Sequence, residues 1–176
     1  GGATEAAVAV NRRIQEAMFA VVRAQPDTAA AVTELQHALQ ETLASLPADV
    51  RRGMEGELTP AALDAQIRQV NSPWFRFFLT YDPRPTLEKV PVPVLALNGA
   101  LDLQVPAEAN LREVEAALRR GGNADVTVRL LPGLNHLFQT ARTGSPSEYA
   151  QITETMSPVA LEAISSWILQ RFGRRP

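Results

Sequence analysis

The segment VPVPVLALNG, residues 90–99, limits the possible folds of this chain more than any other. It is apolar without alternation, it has the length of a strand, and prolines and the pair Asn98-Gly99 bound it. Continuous apolarity of this kind indicates a parallel strand that is covered on both faces. The sequence therefore predicts an α/β architecture for the second half of the chain.

The residues that follow this strand predict a helix, a second strand and a last helix. Pro106 opens the first of these helices and Gly121-Gly122 ends it, and DVTVRLLPG is rich in the β-branched residues of strands. The last helix starts at Ser157-Pro158. The apolar positions of the two helices recur at helical spacing, at Leu111, Val114 and Leu118 and at Ala160, Ile164, Trp167 and Ile168. Strand, helix, strand, helix is a βαβ unit with parallel strands plus one covering helix.

The first half of the chain predicts helices only. A helical stripe runs from Glu5 to Ala24, and Pro26 ends it. Asp27 is a predicted N-cap of a second helix, and Thr59 with Pro60 announces a third. The stripe of the second helix consists of Ala31, Val32, Leu35, Leu39, Leu43 and Leu46.

Half of the aromatic side chains follow in SPWFRFFLTYDPRP, residues 72–85, at Trp74, Phe75, Phe77, Phe78 and Tyr81. One interpretation is the wall of a pocket for an apolar substrate. The other is a packing plug where a helical layer meets a sheet, which we favour because aromatic side chains dominate core burial.

Two loops carry residues whose side chains are suited to catalysis. NGALDLQVP places Asp102 just after the first strand, and PGLNHLFQ places His136 just after the second. Neighbouring parallel strands end at the same edge, where ligands bind in open α/β sheets, so the two side chains are expected within hydrogen-bonding distance. A carboxylate on one imidazole nitrogen leaves the other nitrogen basic, as in the acid and base of a nucleophilic triad. Taken singly, an Asp here is more often a turn former and a loop His a surface residue.

Charge and composition exclude several classes of function. The net charge is -2 without a basic face, so nucleic acid is not an expected partner, and no apolar run could span a membrane. No cysteine is present, which is compatible with the cytoplasm. The second histidine, His37, faces away from the apolar stripe of its helix, and we expect it to be solvated. A zinc site therefore has few possible ligands. No cofactor is expected, because triad chemistry needs none.

Three segments carry a resemblance to a known family: VPVPVLALNGALDLQVPAEAN, LLPGLNHLFQ and SPVALEAISSWILQRF. They resemble the C-terminal part of α/β-hydrolase-fold serine hydrolases, in the branch of esterase-like and dienelactone-hydrolase-like enzymes. The resemblance covers residues 72–172 and implies that residues 1–71 are a helical cap and residues 72–176 the C-terminal part of the hydrolase core. It also implies that Asp102 is the catalytic acid and His136 the catalytic base, in the family's order of Ser, Asp and His.

The chain departs from this family at the nucleophile, because none of its serines lies in G-x-S-x-G. The resemblance thus implies a small-molecule ester as substrate, a nucleophile serine outside this chain, and no activity for the chain alone. Two parallel strands make a poor sheet, so a missing N-terminal half or a second copy is expected to complete it. The alternative is a non-catalytic fragment or assembly module that binds a partner through its helices and open sheet edge.

Overall fold

The structure is a computed structural model that describes residues 5–54, 56 and 58–173, and it has a mixed α/β architecture. The chain forms two units that divide between Tyr81 and Asp82. The boundary predicted from the sequence lies earlier, between Asn71 and Ser72. The difference arises because residues 73–80 form a helix that packs on the other helices of the first unit.

The first unit contains five helices within the described residues: α1 (Glu5–Ala24), α2 (Thr28–Ala44), α3 (Ala48–Gly53), α4 (Pro60–Val70) and α5 (Pro73–Thr80). The predicted caps are confirmed. The carboxylate of Asp27 accepts the backbone N–H groups of Ala29 and Ala30, at 2.7 and 2.9 Å. The hydroxyl of Thr59 accepts the N–H of Ala62 at 3.3 Å. These side chains satisfy backbone donors that have no partner within the helix.

The core of the first unit forms where the apolar stripes of α1, α2 and α4 meet. Leu35 is fully buried there, whereas Val32, which the sequence placed on the same stripe, is exposed. The buried residues of this cluster are Val10, Ile14, Met18, Val22, Ala31, Leu35, Leu39, Leu46, Met54, Ile67 and Val70.

Helix α5 corrects the interpretation of the aromatic segment as a packing plug. Phe75 does pack on the helical core, but Trp74, Phe77 and Phe78 are each exposed by 60% or more. The rings of Trp74 and Phe78 stack on each other at the surface with their centroids 5.5 Å apart. Most of this cluster is therefore an exposed aromatic face.

The second unit contains α6 (Arg84–Leu87), β1 (Val94–Gly99), α7 (Ala107–Arg120), β2 (Val126–Leu131), a 3₁₀ helix (Pro146–Gln151) and α8 (Pro158–Phe172). The strands β1 and β2 pair in parallel, with Val94 opposite Val126 and Gly99 opposite Leu131. This is the predicted order of strand, helix, strand and helix. Pro106 is the N-cap of α7 rather than its first helical residue, and Ser157 caps α8 as predicted.

Helix α7 connects the two strands and packs on both of them, and α8 contacts residues of β2. Ala160 and Ala163 of α8 form a buried cluster with Leu131 and Leu134. Further along α8, the indole Nε1 of Trp167 donates a hydrogen bond of 3.0 Å to the hydroxyl of Thr127. Both ends of β2 are thereby fixed to the last helix, the start through Thr127 and the end that leads into the His136 loop through Leu131.

Strand β1 is less covered than its apolar sequence predicted. Its residues from Val94 to Leu97 are only partly buried, and among the described strands it pairs with β2 alone. An open groove of about 440 Å³ lies along it. The groove is lined by Pro93, Val94, Leu95, Leu97, Phe138, Ile164, Trp167 and Ile168.

Candidate active site

Asp102 lies in a tight turn directly after β1. The backbone N–H of Asp102 donates to the carbonyl oxygen of Gly99 at 3.2 Å. One carboxylate oxygen, Oδ1, accepts the N–H groups of Gln104 and Val105, each at 2.9 Å. An Asp that accepts the N–H groups two and three residues ahead fixes its own side chain against the backbone. The turn therefore holds Oδ1 and leaves the second oxygen, Oδ2, available to other partners.

His136 lies in a loop that is built around one buried side chain. Asn135 is fully buried, and its Oδ1 accepts the N–H groups of Leu137 and Gln139 at 3.0 and 2.9 Å. Its Nδ2 donates to Oε1 of Gln139 at 3.0 Å. Phe138 has a φ of 57°, a left-handed conformation that is uncommon outside glycine. The N–H of Ser157 donates to the carbonyl oxygen of Phe138 at 2.8 Å and holds Phe138 in place.

The two loops are in direct contact at Gly99. A Cβ atom at this position would overlap the carbonyl oxygens of Leu134 and Asn135, so only glycine fits. The N–H of Leu101 donates to the carbonyl oxygen of Leu134 at 2.9 Å and fixes the same approach. The backbone on either side of Asp102 and His136 is therefore locked together.

The carboxylate of Asp102 and the imidazole of His136 meet between these loops. Nδ1 of His136 lies 2.9 Å from Oδ2 of Asp102. This confirms the hydrogen-bonding distance that the strand order predicted. The side chain of Asp102 is 2% exposed and that of His136 is 37% exposed. Their catalytic roles stay predictions.

Nε2 of His136 makes no hydrogen bond within the part of the chain that the structure describes. All seven serines of the chain belong to that part, and none of them bonds to this imidazole. The pair thus has one buried acidic end and one accessible nitrogen. This arrangement orients an imidazole for proton transfer at Nε2.

The surroundings of Asp102 favour its ionised form. Burial alone raises the pKa of Asp102, but the hydrogen bonds from His136, Val105 and Gln104 lower it. The net result is a pKa below the usual value of 3.8. A carboxylate that stays ionised can accept the Nδ1 proton and stabilise the imidazolium when it forms.

Two residues of this site were not singled out from the sequence. Nδ2 of Asn98 donates to Oδ2 of Asp102 at 3.3 Å, and Nδ2 of Asn110 donates to Oδ1 of Asn98 at 2.8 Å. The sequence interpretation used Asn98 only as part of the turn that bounds the strand. A signal was present, because a polar residue inside an apolar strand that becomes buried needs a partner.

The remaining predictions about this chain concern its other histidine, metals and membranes. His37 is 71% exposed, 3.5 Å from a carboxylate oxygen of Glu41, so the prediction that it is solvated is confirmed. The described residues hold no group of three or more possible metal ligands. Among the helices of residues 5–173 that are described, none combines the length and apolar character that crossing a bilayer requires.

Comparisons of this chain with protein-family models, with curated proteins and with solved structures found no significant match.

Proposed function

We propose that this chain supplies the acid and the base of a serine hydrolase that cleaves carboxylic esters. In this proposal Asp102 is the acid, His136 is the base, and the nucleophile serine comes from a segment outside these 176 residues. The fold would then be the C-terminal portion of an α/β-hydrolase, preceded by a helical cap. The cytoplasmic location suggested by the cysteine-free composition stays a prediction.

One observation carries the proposal: a buried carboxylate holds Nδ1 of an imidazole whose Nε2 is accessible. The 2.9 Å contact between His136 and Asp102 joins the ends of two neighbouring parallel strands. A hydrogen bond that is only structural has no need for an accessible second nitrogen, whereas a base requires one. Function in an open α/β sheet concentrates at this same edge.

The proposed reaction assigns one task to each residue. Nε2 of His136 takes the proton from the serine hydroxyl as its oxygen attacks the ester carbonyl. Asp102 stabilises the resulting imidazolium, which then gives the proton to the leaving alcohol as the acyl-enzyme forms. A water molecule, deprotonated by the same nitrogen, attacks the acyl-enzyme, and the serine leaves with that proton. The acid is released and the enzyme is regenerated.

The test is ester hydrolysis by the full-length protein that carries this sequence, with p-nitrophenyl acetate as substrate. We expect His136→Gln to lower kcat by roughly 10⁶-fold and Asp102→Asn by roughly 10⁴-fold, with both variants folded. Two matched controls exist in the chain. His37→Gln removes the other, exposed histidine, and Asp125→Asn removes a carboxylate that pairs with Arg171 instead.

Loss of hydrolysis in the first two variants but not in the controls would support the assignment. Hydrolysis that persists in His136→Gln would refute it, and so would a full-length protein without hydrolytic activity.

A second candidate function is favoured by the open edge of β1. The partly buried apolar residues along this strand and the groove beside it are suited to binding a partner. On this reading the chain is an assembly module without catalysis. Sedimentation of the 176-residue chain discriminates the two, because a stable self-assembled particle that hydrolyses no ester favours the module.

A further inference from the structure

Two asparagines connect helix α7 to the carboxylate of Asp102. Asn98, the residue before the end of β1, is 7% exposed, and its Nδ2 donates to Oδ2 of Asp102. Asn110, in the first turn of α7, donates from its Nδ2 to Oδ1 of Asn98. Oδ2 is also the oxygen that contacts Nδ1 of His136.

The order of these contacts fixes the orientation of the Asn98 amide. A side-chain amide has one accepting and one donating end. Because Asn110 donates to the accepting end of Asn98, the donating end is directed at Asp102. If the amide were reversed, its oxygen would face the carboxylate and its NH₂ group would face the NH₂ group of Asn110, and both contacts would be lost.

The carboxylate needs this contact because, apart from the bond to His136, its other bonds hold only Oδ1. Gln104 and Val105 both donate to Oδ1, and a carboxylate plane can still pivot about a single fixed oxygen. Apart from His136, Asn98 is the one side chain of the described residues that donates to Oδ2. It therefore fixes the plane of the carboxylate independently of the histidine.

We propose that Asn98, oriented by Asn110, is a positioning residue that holds the Asp102 carboxylate and thereby keeps the proton of neutral His136 on Nδ1. The effect on the tautomer stands by itself. Its consequence for catalysis rests on the proposed function, since a base needs a proton-free Nε2.

Asn123 provides a matched control for a role that is only structural. It is a buried asparagine of the same unit, and its Nδ2 donates to the carbonyl oxygens of Val90 and Val92 at 3.0 and 2.8 Å. Its Oδ1 accepts the N–H of Asp125 at 3.0 Å. Leucine at position 98 or position 123 removes these bonds at similar side-chain size, but only position 98 contacts Asp102.

The experiment measures the imidazole ¹⁵N NMR signals of His136, assigned with His136→Gln, at a pH where the ring is neutral. In the wild-type chain we expect the proton mostly on Nδ1. In Asn98→Leu we expect the fraction with the proton on Nε2 to rise severalfold, while Asn123→Leu loses stability without a change of tautomer. Should Asn98→Leu fail to fold, Asn110→Ala is expected to shift the tautomer in the same direction, because Asn110 is exposed and orients Asn98. An unchanged tautomer ratio in the folded variant, or an equal shift in Asn123→Leu, would overturn the proposal.

Kinetics on the full-length protein separate this proposal from the proposed function. We expect Asn98→Leu to lower kcat about tenfold, as for the loss of one hydrogen bond to a charged group, with KM unchanged. If the tautomer shifts in Asn98→Leu but ester hydrolysis does not depend on His136, the positioning role of Asn98 is supported and the proposed function is refuted. If hydrolysis depends on His136 but the tautomer does not shift in Asn98→Leu, the proposed function is supported and the positioning role of Asn98 is refuted.

Discussion

The carboxylate of Asp102 has no unoccupied acceptor position with which it could itself take up a proton from a substrate. Oδ1 accepts two backbone N–H groups, and Oδ2 accepts a side-chain amide and contacts an imidazole nitrogen. These four partners occupy the lone pairs of a carboxylate. In the proposed mechanism Asp102 therefore orients the imidazole and stabilises its charge, and the accessible Nε2 of His136 exchanges the proton.

The lowered pKa of Asp102 predicts how stability depends on pH. Since the folded state favours the ionised form, its contribution is fully present above the unfolded value of about 3.9 and is lost as pH falls through the lower folded pKa. We expect the free energy of unfolding of wild type to lose its advantage over that of Asp102→Asn as the pH falls from about 4 towards 2. Urea unfolding of both proteins at each pH measures this difference.

The comparison with Asp102→Asn isolates this one carboxylate. Asp27, Asp82 and Glu148 also have a lowered pKa, but they are present in both proteins, so their contributions cancel. A difference in unfolding free energy that is constant over this pH range would contradict the expected ionisation of Asp102.

The contact between the end of β1 and the His136 loop makes a prediction for Gly99→Ala. The added methyl group overlaps the carbonyl oxygens of Leu134 and Asn135, so the loops must separate. We expect a loss of about 1–3 kcal/mol in unfolding free energy, together with a weakened bond between Asp102 and His136. Chemical denaturation measures the first effect, and the imidazole ¹⁵N signals of His136 measure the second.

Ala100→Ser is the control for this variant, because it adds one atom at the next residue, which is exposed. It should leave both measurements unchanged. If Gly99→Ala has wild-type stability and an unaltered His136 signal, the loops are not coupled as the backbone contacts indicate.

Helix starts were predictable from sequence because a cap is a local interaction. Asp27, Thr59 and Ser157 each accept backbone N–H groups two or three residues ahead, so the local amino-acid sequence is enough to identify these caps. The start of α5 carries the same signature, with Ser72 as cap and Pro73 as first residue. The sequence analysis nevertheless interpreted the aromatic residues that follow as a packing plug. Which of its rings is buried depends on how α5 lies against α1 and α4, and spacing alone does not contain that information.

The pairing of Asp102 with His136 was predictable for a topological reason. Parallel neighbours end at one edge, whatever their exact register. The contacts of Asn98 and Asn110 depend instead on the twist of β1 and on the rotation of α7 about its axis. The buried amide of Asn135 likewise follows from a loop conformation in which Phe138 is left-handed. Such details arise from tertiary packing and have no periodic trace in the sequence.

The open edge of β1 connects the fold to the proposed function. The apolar residues from Val94 to Leu97 are only partly buried, so they leave surface that a further strand or partner would cover. In the proposed hydrolase, the segment that carries the nucleophile serine would also complete this sheet. The same missing element would thus account for the uncovered strand and for the accessible Nε2 of His136.

The central claim is that His136 activates a serine that lies outside residues 1–176. The most direct measurement is the reaction of the full-length protein with a fluorophosphonate, followed by mapping of the labelled residue by peptide mass spectrometry. The account predicts one rapidly labelled serine outside this segment, with labelling that slows by orders of magnitude in His136→Gln but not in His37→Gln. No labelled serine, a labelled serine within residues 1–176, or a rate that is unchanged in His136→Gln would contradict it.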